Sequence, residues 1–237
     1  KKFLQARNEL DKLIEKIPNN SYLLNLRGLI CQYLYKYEEA IQFFNLAIKN
    51  DPKNVAALNN LANSYKNLLN YSEAEKIYQK ILSIDHNYVH ALNNYANLKV
   101  EINDYNSAIP MLEKAILISN QRNIKPIDIM LSLASIYQSV NNIEKVKKIL
   151  SDVFAIKPKL AQAHKILSEV TKYSSENPQS LSHIKQMKKI LEENNMSDQD
   201  ISVLSFALGK SFEDLKKYDE SFNYLQSANK HKKKKKN

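Results

Sequence analysis

The stretch ALNNLANSYKNLLNYSEAEKIYQKIL, Ala57–Leu82, is followed by ALNNYANLKVEINDYNSAIPMLEKAI, Ala91–Ile116, and the second copy begins 34 residues after the first. A period of that size belongs to arrays in which one helical hairpin stacks on the next and each buries its apolar face only against its neighbours. The composition agrees with an all-α fold. Two glycines and six prolines leave little material for tight hairpin turns, while Leu, Ala, Lys, Glu and Gln fill the periodic stretches and favour helix.

Working outward from the quoted pair gives contiguous units at 21–54, 55–88 and 89–122, then a four-residue insertion, Asn123 to Pro126, and a unit at 127–160. Residues 1–20 read as a second helix alone, with Ala6, Leu10, Leu13 and Pro18 in register; its first helix is expected to be cut off or to lie upstream. Small residues recur where two helices of a hairpin must approach: Gly28, Ala62, Ala96 and Ala134 in first helices, Ala40, Ala74, Ala108 and Val146 in second ones. A contact poor in Cβ atoms lets helix axes come close. Phe44, Tyr78, Leu112 and Leu150, followed by Ala47, Ile81, Ala115 and Val153, make one apolar face at helical spacing. Asn70 with Glu73 reads as a capping box, Asp104 and Asn142 as further caps. Pro110, inside a second helix, predicts a kink or a loosened turn.

From Ala161 the spacing degrades. The segment 161–201 reads as an irregular repeat with a lengthened connection, a candidate for docking a partner, and the last repeat returns at 202–230 with Gly209 at the place of Gly28. A Lys-rich tail, 231–237, follows. Six of the ten net positive charges lie at Lys230 and Lys232 to Lys236, so the basicity is read as a solvated end, and neither nucleic acid nor membrane is expected as a partner.

These recurring positions resemble the tetratricopeptide repeat over nearly the entire chain. The resemblance implies one solenoid across 1–237, a right-handed superhelix of antiparallel helix pairs, in which first helices line a concave inner surface. Inward positions there hold Asn59, Asn60, Asn63 and Lys66, then Asn93, Asn94 and Asn97, then Ser132 and Ser135. An amide carries donor and acceptor in one plane, so a row of them can pair with the main chain of an extended peptide. Each bond would contribute about 0.5–1.5 kcal/mol, so affinity would come from many at once. The row is similar to the asparagine ladder of the repeats attached to O-linked N-acetylglucosamine transferases. Against the carboxylate clamp of chaperone-binding repeats, Lys66 and Asn63 would serve, but Tyr22, Asn25, Leu26 and Leu29 stand where further basic groups would be needed.

No catalytic chemistry is legible. There is no glycine-rich loop for a phosphate, and no nucleophile, base and orienting group fall together. His86 and His90 have helical metal-pair spacing without a third ligand. Cys31 stands where sister repeats have Tyr65 and Tyr137, a packing place, and His164 is expected to be half-buried. No catalytic residue, cofactor or metal is therefore expected. A lone cysteine and the absence of a long apolar run suit a cytoplasmic protein.

HKILSEVTKY, HIKQMKKIL and MSDQDISVLSFALGKSFEDLKKYDESFNYLQSANK, within 164–230, resemble the segment that precedes the catalytic domain in bacterial tetratricopeptide-repeat sulfotransferases. That resemblance implies a non-catalytic, substrate-presenting arm of an enzyme using 3′-phosphoadenosine-5′-phosphosulfate, whose catalytic domain would lie beyond Asn237 and could itself be a partner. The main expectation is a scaffold that binds a protein or extended peptide.

Overall fold

The structure, a computed structural model, describes residues 2–193 and 196–233, with side chains from 7 onward and as far as 232. Its described residues form helices and no strand: α1 (Lys2–Lys16), α2 (Ser21–Tyr33), α3 (Tyr37–Asn50), α4 (Val55–Asn67), α5 (Tyr71–Ile84), α6 (Val89–Glu101), α7 (Tyr105–Gln121), α8 (Ile127–Ser139), α9 (Ile143–Ile156), α10 (Ala161–Val170), α11 (Pro178–Glu192), α12 (Asp198–Asp214) and α13 (Tyr218–Lys233). The helices pack as two units, Lys1–Ile124 and Lys125–Asn237, and the division falls at the four-residue insertion. α7 runs 17 residues where α3, α5 and α9 run 14, and it ends just before the insertion.

Helix starts follow short polar side chains. The amide oxygens of Asn20 and Asn54 accept from the amides of Leu23 at 3.0 Å and Ala57 at 2.9 Å, and Asp104 and Asn142 cap α7 and α9 in the same way. Asn70 accepts from the Glu73 amide at 3.4 Å, but the reciprocal half of the expected capping box is not made. The Asn70 N–H is already given to the Tyr65 carbonyl, and the Glu73 carboxylate pairs with Lys76. α7 continues through Pro110 without a break.

First helices end in one recurring device. Tyr35, Leu69, Asn103, Asn141 and Lys216 take φ of 56–60° with Asn123, and the next residue's N–H returns to a carbonyl five residues back, as Lys36 does to Cys31 and Asp104 to Lys99. This left-handed closure satisfies orphan carbonyls and usually employs glycine. Here side chains with a Cβ occupy it.

The predicted apolar face is the core. Phe44, Tyr78, Leu112 and Leu150, and their partners Ala47, Ile81, Ala115 and Val153, are all buried, each large one contributing about 2 kcal/mol or more. A Cβ on Gly28 would drive into the Phe44 ring, which explains the glycine. Leu13 has the register of Ala47 and Ile81 but is 46% exposed, because no first helix covers it among the described residues.

The irregular repeat differs most. α10 stops after ten residues, and Thr171 continues in extended backbone instead of closing left-handed. In the connection Tyr173 turns inward and is 2% exposed, in a core with Met187, Leu204 and Leu208, while residues 174–177 are exposed. His164 is fully buried, not half-buried as expected. The last repeat starts four residues earlier than read, at Asp198 after the Ser197 cap of α12, and the supposed tail begins inside α13. His231 pairs with Asp198 at 2.5 Å and Lys232 lies over Phe206; residues 234–237, the remainder of the Lys-rich segment, lie outside the described residues.

Candidate peptide-binding groove

α2, α4 and α6 lie side by side in the first unit, and the 34-residue period carries the same helical positions onto one face of each. The amides of this face are linked along the array. Asn60 Nδ2 donates to Asn25 Oδ1 at 2.9 Å, and Asn94 Nδ2 donates to Asn59 Oδ1 at 3.1 Å. Gln32 Nε2 reaches the Asn60 carbonyl at 2.8 Å and Ser64 Oγ at 2.7 Å. The next acceptor of the series, Asn93 Oδ1, is buried with no partner among the described residues.

This pairing divides the predicted row. Asn59 is buried, and Asn59 and Asn60 spend half of their amide capacity holding neighbouring helices. Asn63 Oδ1 accepts the Tyr78 hydroxyl at 2.6 Å, so it anchors the fully buried Tyr78 ring, whose ionisation burial pushes far up. Lys66 is bound to Glu101 at 3.0 Å. Asn97 is half-buried on α6. Ser132 and Ser135 belong to the second unit, where Ser132 Oγ donates to the Asp128 carbonyl and Ser135 offers its own carbonyl to Ser139.

Asn63, Lys66 and Asn94 nevertheless converge on one cavity of about 430 Å³, together with Gln32, Asn67 and three tyrosines, Tyr33, Tyr35 and Tyr37. Tyr33 and Tyr35 are 69% and 80% exposed. Tyr35 and Tyr37 meet edge to face at 6.4 Å, and Tyr35 holds the left-handed position of its turn. Large aromatic surface left in water beside unspent amide valences is what a ligand would cover. The tyrosines were not among the residues predicted from the sequence; the signal was the three alternating Tyr residues at the end of α2, in a repeat whose neighbours have Asn67 and Leu69 there.

Behind the groove a polar cluster fixes α5 against α6. Glu75 accepts from Tyr95 Oη at 2.6 Å and Lys99 Nζ at 2.7 Å, and Tyr95 stacks on Tyr78 at 5.5 Å. The Lys99 bond, then that of Tyr95, holds the Glu75 carboxyl below its ordinary range.

The second unit has a cavity of another kind, about 560 Å³, floored by Val203 and Phe206 and edged by Lys165, Ser202 and the His231–Asp198 pair. Lys165 is itself paired with Glu169 at 3.4 Å. Its apolar floor distinguishes it from the amide groove.

Comparison with known proteins places this geometry. Residues 21–54 and 54–121 match models described as the tetratricopeptide repeat. No curated protein matches. Among solved structures, a tetratricopeptide repeat protein from Parabacteroides merdae is 17% identical, with a TM-score of 0.63 over 95% of this chain and 92% of that one. YrrB, a tetratricopeptide-repeat protein with an unusual peptide-binding site, is 15% identical, with a TM-score of 0.58 over 78% and 93%. A double mutant of MamA is 16% identical, with a TM-score of 0.62 over 74% and 96%. The fold is an all-α tetratricopeptide-repeat array, and the matches lend no support to the sulfotransferase resemblance. No described helix is long and apolar enough to cross a membrane.

Proposed function

We propose that this tetratricopeptide-repeat array is a scaffold that captures an extended peptide of a partner protein across α2, α4 and α6. The observation that carries the reading is the groove in which Tyr33, Tyr35 and Tyr37 border Asn63, Asn67 and Asn94. Aromatic rings offer flat apolar area at low entropic cost, and amides with one valence spent in the array keep another for a ligand backbone. That YrrB has a peptide-binding site is in keeping with the proposal. Because Lys66 is neutralised by Glu101, the groove selects for main chain and apolar or aromatic side chains more than for acidic ones.

Peptides selected from a random display library on the intact chain provide the test. Tyr35→Ala with Asn67→Ala, whose amide bonds only to the Asn63 carbonyl of its own helix, should weaken the selected peptides at least tenfold, measured by calorimetry, while the helical circular dichroism stays unchanged. Asn60→Ala is the wrong probe, since it removes the bond to Asn25 and loosens the array itself. Selected peptides that bind the double variant as tightly as the parent chain would overturn the proposal.

A further inference from the structure

The second unit contains a chain of three hydrogen bonds that the peptide groove does not use. The Tyr173 hydroxyl and His183 Nδ1 are 2.6 Å apart, His183 Nε2 and His164 Nδ1 2.9 Å, and His164 Nε2 and the Pro158 carbonyl 2.9 Å. One end decides every proton. A carbonyl only accepts, so His164 Nε2 donates; His164 Nδ1 then accepts from His183 Nε2, and His183 Nδ1 accepts from Tyr173. In this arrangement both imidazoles are neutral and every bond of the chain is satisfied. The chain ties the end of α9 to α10, to the extended segment after Thr171, and to α11.

We propose that the Tyr173–His183–His164–Pro158 chain is an acid-sensitive latch that fastens the α10–α11 connection and α11 to the second unit and opens when an imidazole takes up a proton. Each ring has one lone pair, and both are engaged. A solvent proton on His164 Nδ1 sets two N–H donors against each other across 2.9 Å, or, where His183 moves its proton to Nδ1 and reverses the Tyr173 bond, leaves a cation on the fully buried His164. One on His183 Nδ1 reverses the Tyr173 bond and leaves a cation among the rings of His164 and Tyr173, which stack on it. His164 is fully buried and His183 half-buried, so either charge is fully hydrated only when the connection is displaced.

The surroundings favour the neutral rings. From α9 the facing group is Phe154, with its ring 4.7 Å from that of His164. α12 contributes Lys210, 5.2 Å from the Tyr173 ring, and Asp214, which accepts the Tyr173 amide at 3.0 Å. Burial, then the neighbouring His164, lowers His183 to about 4, and burial lowers His164 as well, against the pull of the Pro158 carbonyl. A second fastening, Asp214 with Lys210 and Lys172, survives the same acid. Burial raises the Asp214 carboxyl, but hydrogen bonds from Lys210, the Tyr173 amide and Lys172 outweigh it and keep it below the usual range. The imidazole chain therefore fails first, and in isolation.

Amide hydrogen exchange on the intact chain tests this. Corrected for intrinsic rates, opening of residues 171–192 should rise roughly 50-fold between pH 7 and pH 4.5, and His183→Phe should abolish most of that rise. On the unmodified chain, nitrogen-15 spectra at pH 5.5 should show both rings neutral and protonated at Nε2, a readout that stands even if the variant does not fold. A protonated ring at pH 5.5, exchange that ignores pH, or an undiminished rise in His183→Phe would each overturn the latch.

Discussion

The connection between α4 and α5 and the one between α10 and α11 solve the same problem in opposite ways. Leu69 closes the first by turning left-handed, with Asn70 N–H returning to the Tyr65 carbonyl; the backbone does the work and nothing in it titrates. The second has no such residue: Thr171 is extended, its carbonyl is held by Lys210, and the segment is fastened through Tyr173, His183, His164 and Asp214. Where the period is kept, geometry is supplied by the main chain. Where it is broken, side chains with pKa values replace it, and conformation becomes dependent on pH.

Acid should therefore separate the two units, and this is the largest effect expected. His183 is held below its unfolded value, so its contribution is complete above about pH 6.5 and is lost as the pH falls toward about 4. The difference amounts to at most about 3 kcal/mol. Glu75 in the first unit is also depressed, but a carboxylate contributes above its unfolded value and loses that contribution only as the pH falls through its lowered one. Exchange protection should fall in α10–α12 before α4–α6 on titration from pH 7 to pH 3. Simultaneous loss in both units would break the comparison.

The two glycines sharpen it by their unequal tolerance of a methyl group. A Cβ at Gly28 meets three atoms of the fully buried Phe44 ring, the nearest at 2.4 Å; at Gly209 it meets Cδ2 and Cγ of Leu225 at 2.7 and 2.8 Å, in a half-buried side chain with more room to shift. Gly28→Ala should cost about 2 kcal/mol despite the helix propensity gained, whereas Gly209→Ala should lie within about 1 kcal/mol of neutral. Thermal unfolding followed by exchange in each unit measures both. Equal losses would mean that Leu225 is as constrained as Phe44.

The repeats were legible because helix pairing repeats the same small and large residues, and Phe44, Tyr78 and Leu112 announce themselves by spacing. The Asn row was legible as position but not as wiring. That Asn60 serves Asn25, and Asn63 serves Tyr78, depends on which residue sits 35 places back or one helix over, and no local pattern reports it. Glu101 opposite Lys66 was hidden for the same reason. His164 and His183 lie 19 residues apart in the part where the period fails, so no register relates them. Tyr35 and Leu69 were missed as turn residues because left-handed backbone is ordinarily signalled by Gly or Asn, and among the described residues Asn103, Asn123 and Asn141 give that signal.

Those turn residues supply the smallest test, one that asks whether the backbone closure carries the regular connections at all. A side chain with a Cβ costs about 1–2 kcal/mol in the left-handed region, offset by the greater freedom that glycine has in the unfolded chain. Leu69 is 71% exposed and makes little packing to lose. Leu69→Gly and Lys216→Gly should therefore each stabilise their unit by about 0.5 kcal/mol, and Asn103→Gly by less, because asparagine already tolerates φ of 60°. Thr171→Gly should do the reverse, losing about 0.5–1 kcal/mol, since φ of −107° needs no glycine and the substitution only loosens the unfolded state. Melting temperatures of the four variants decide it: a gain at Thr171 matching that at Leu69 would show that the two connections are fastened alike after all.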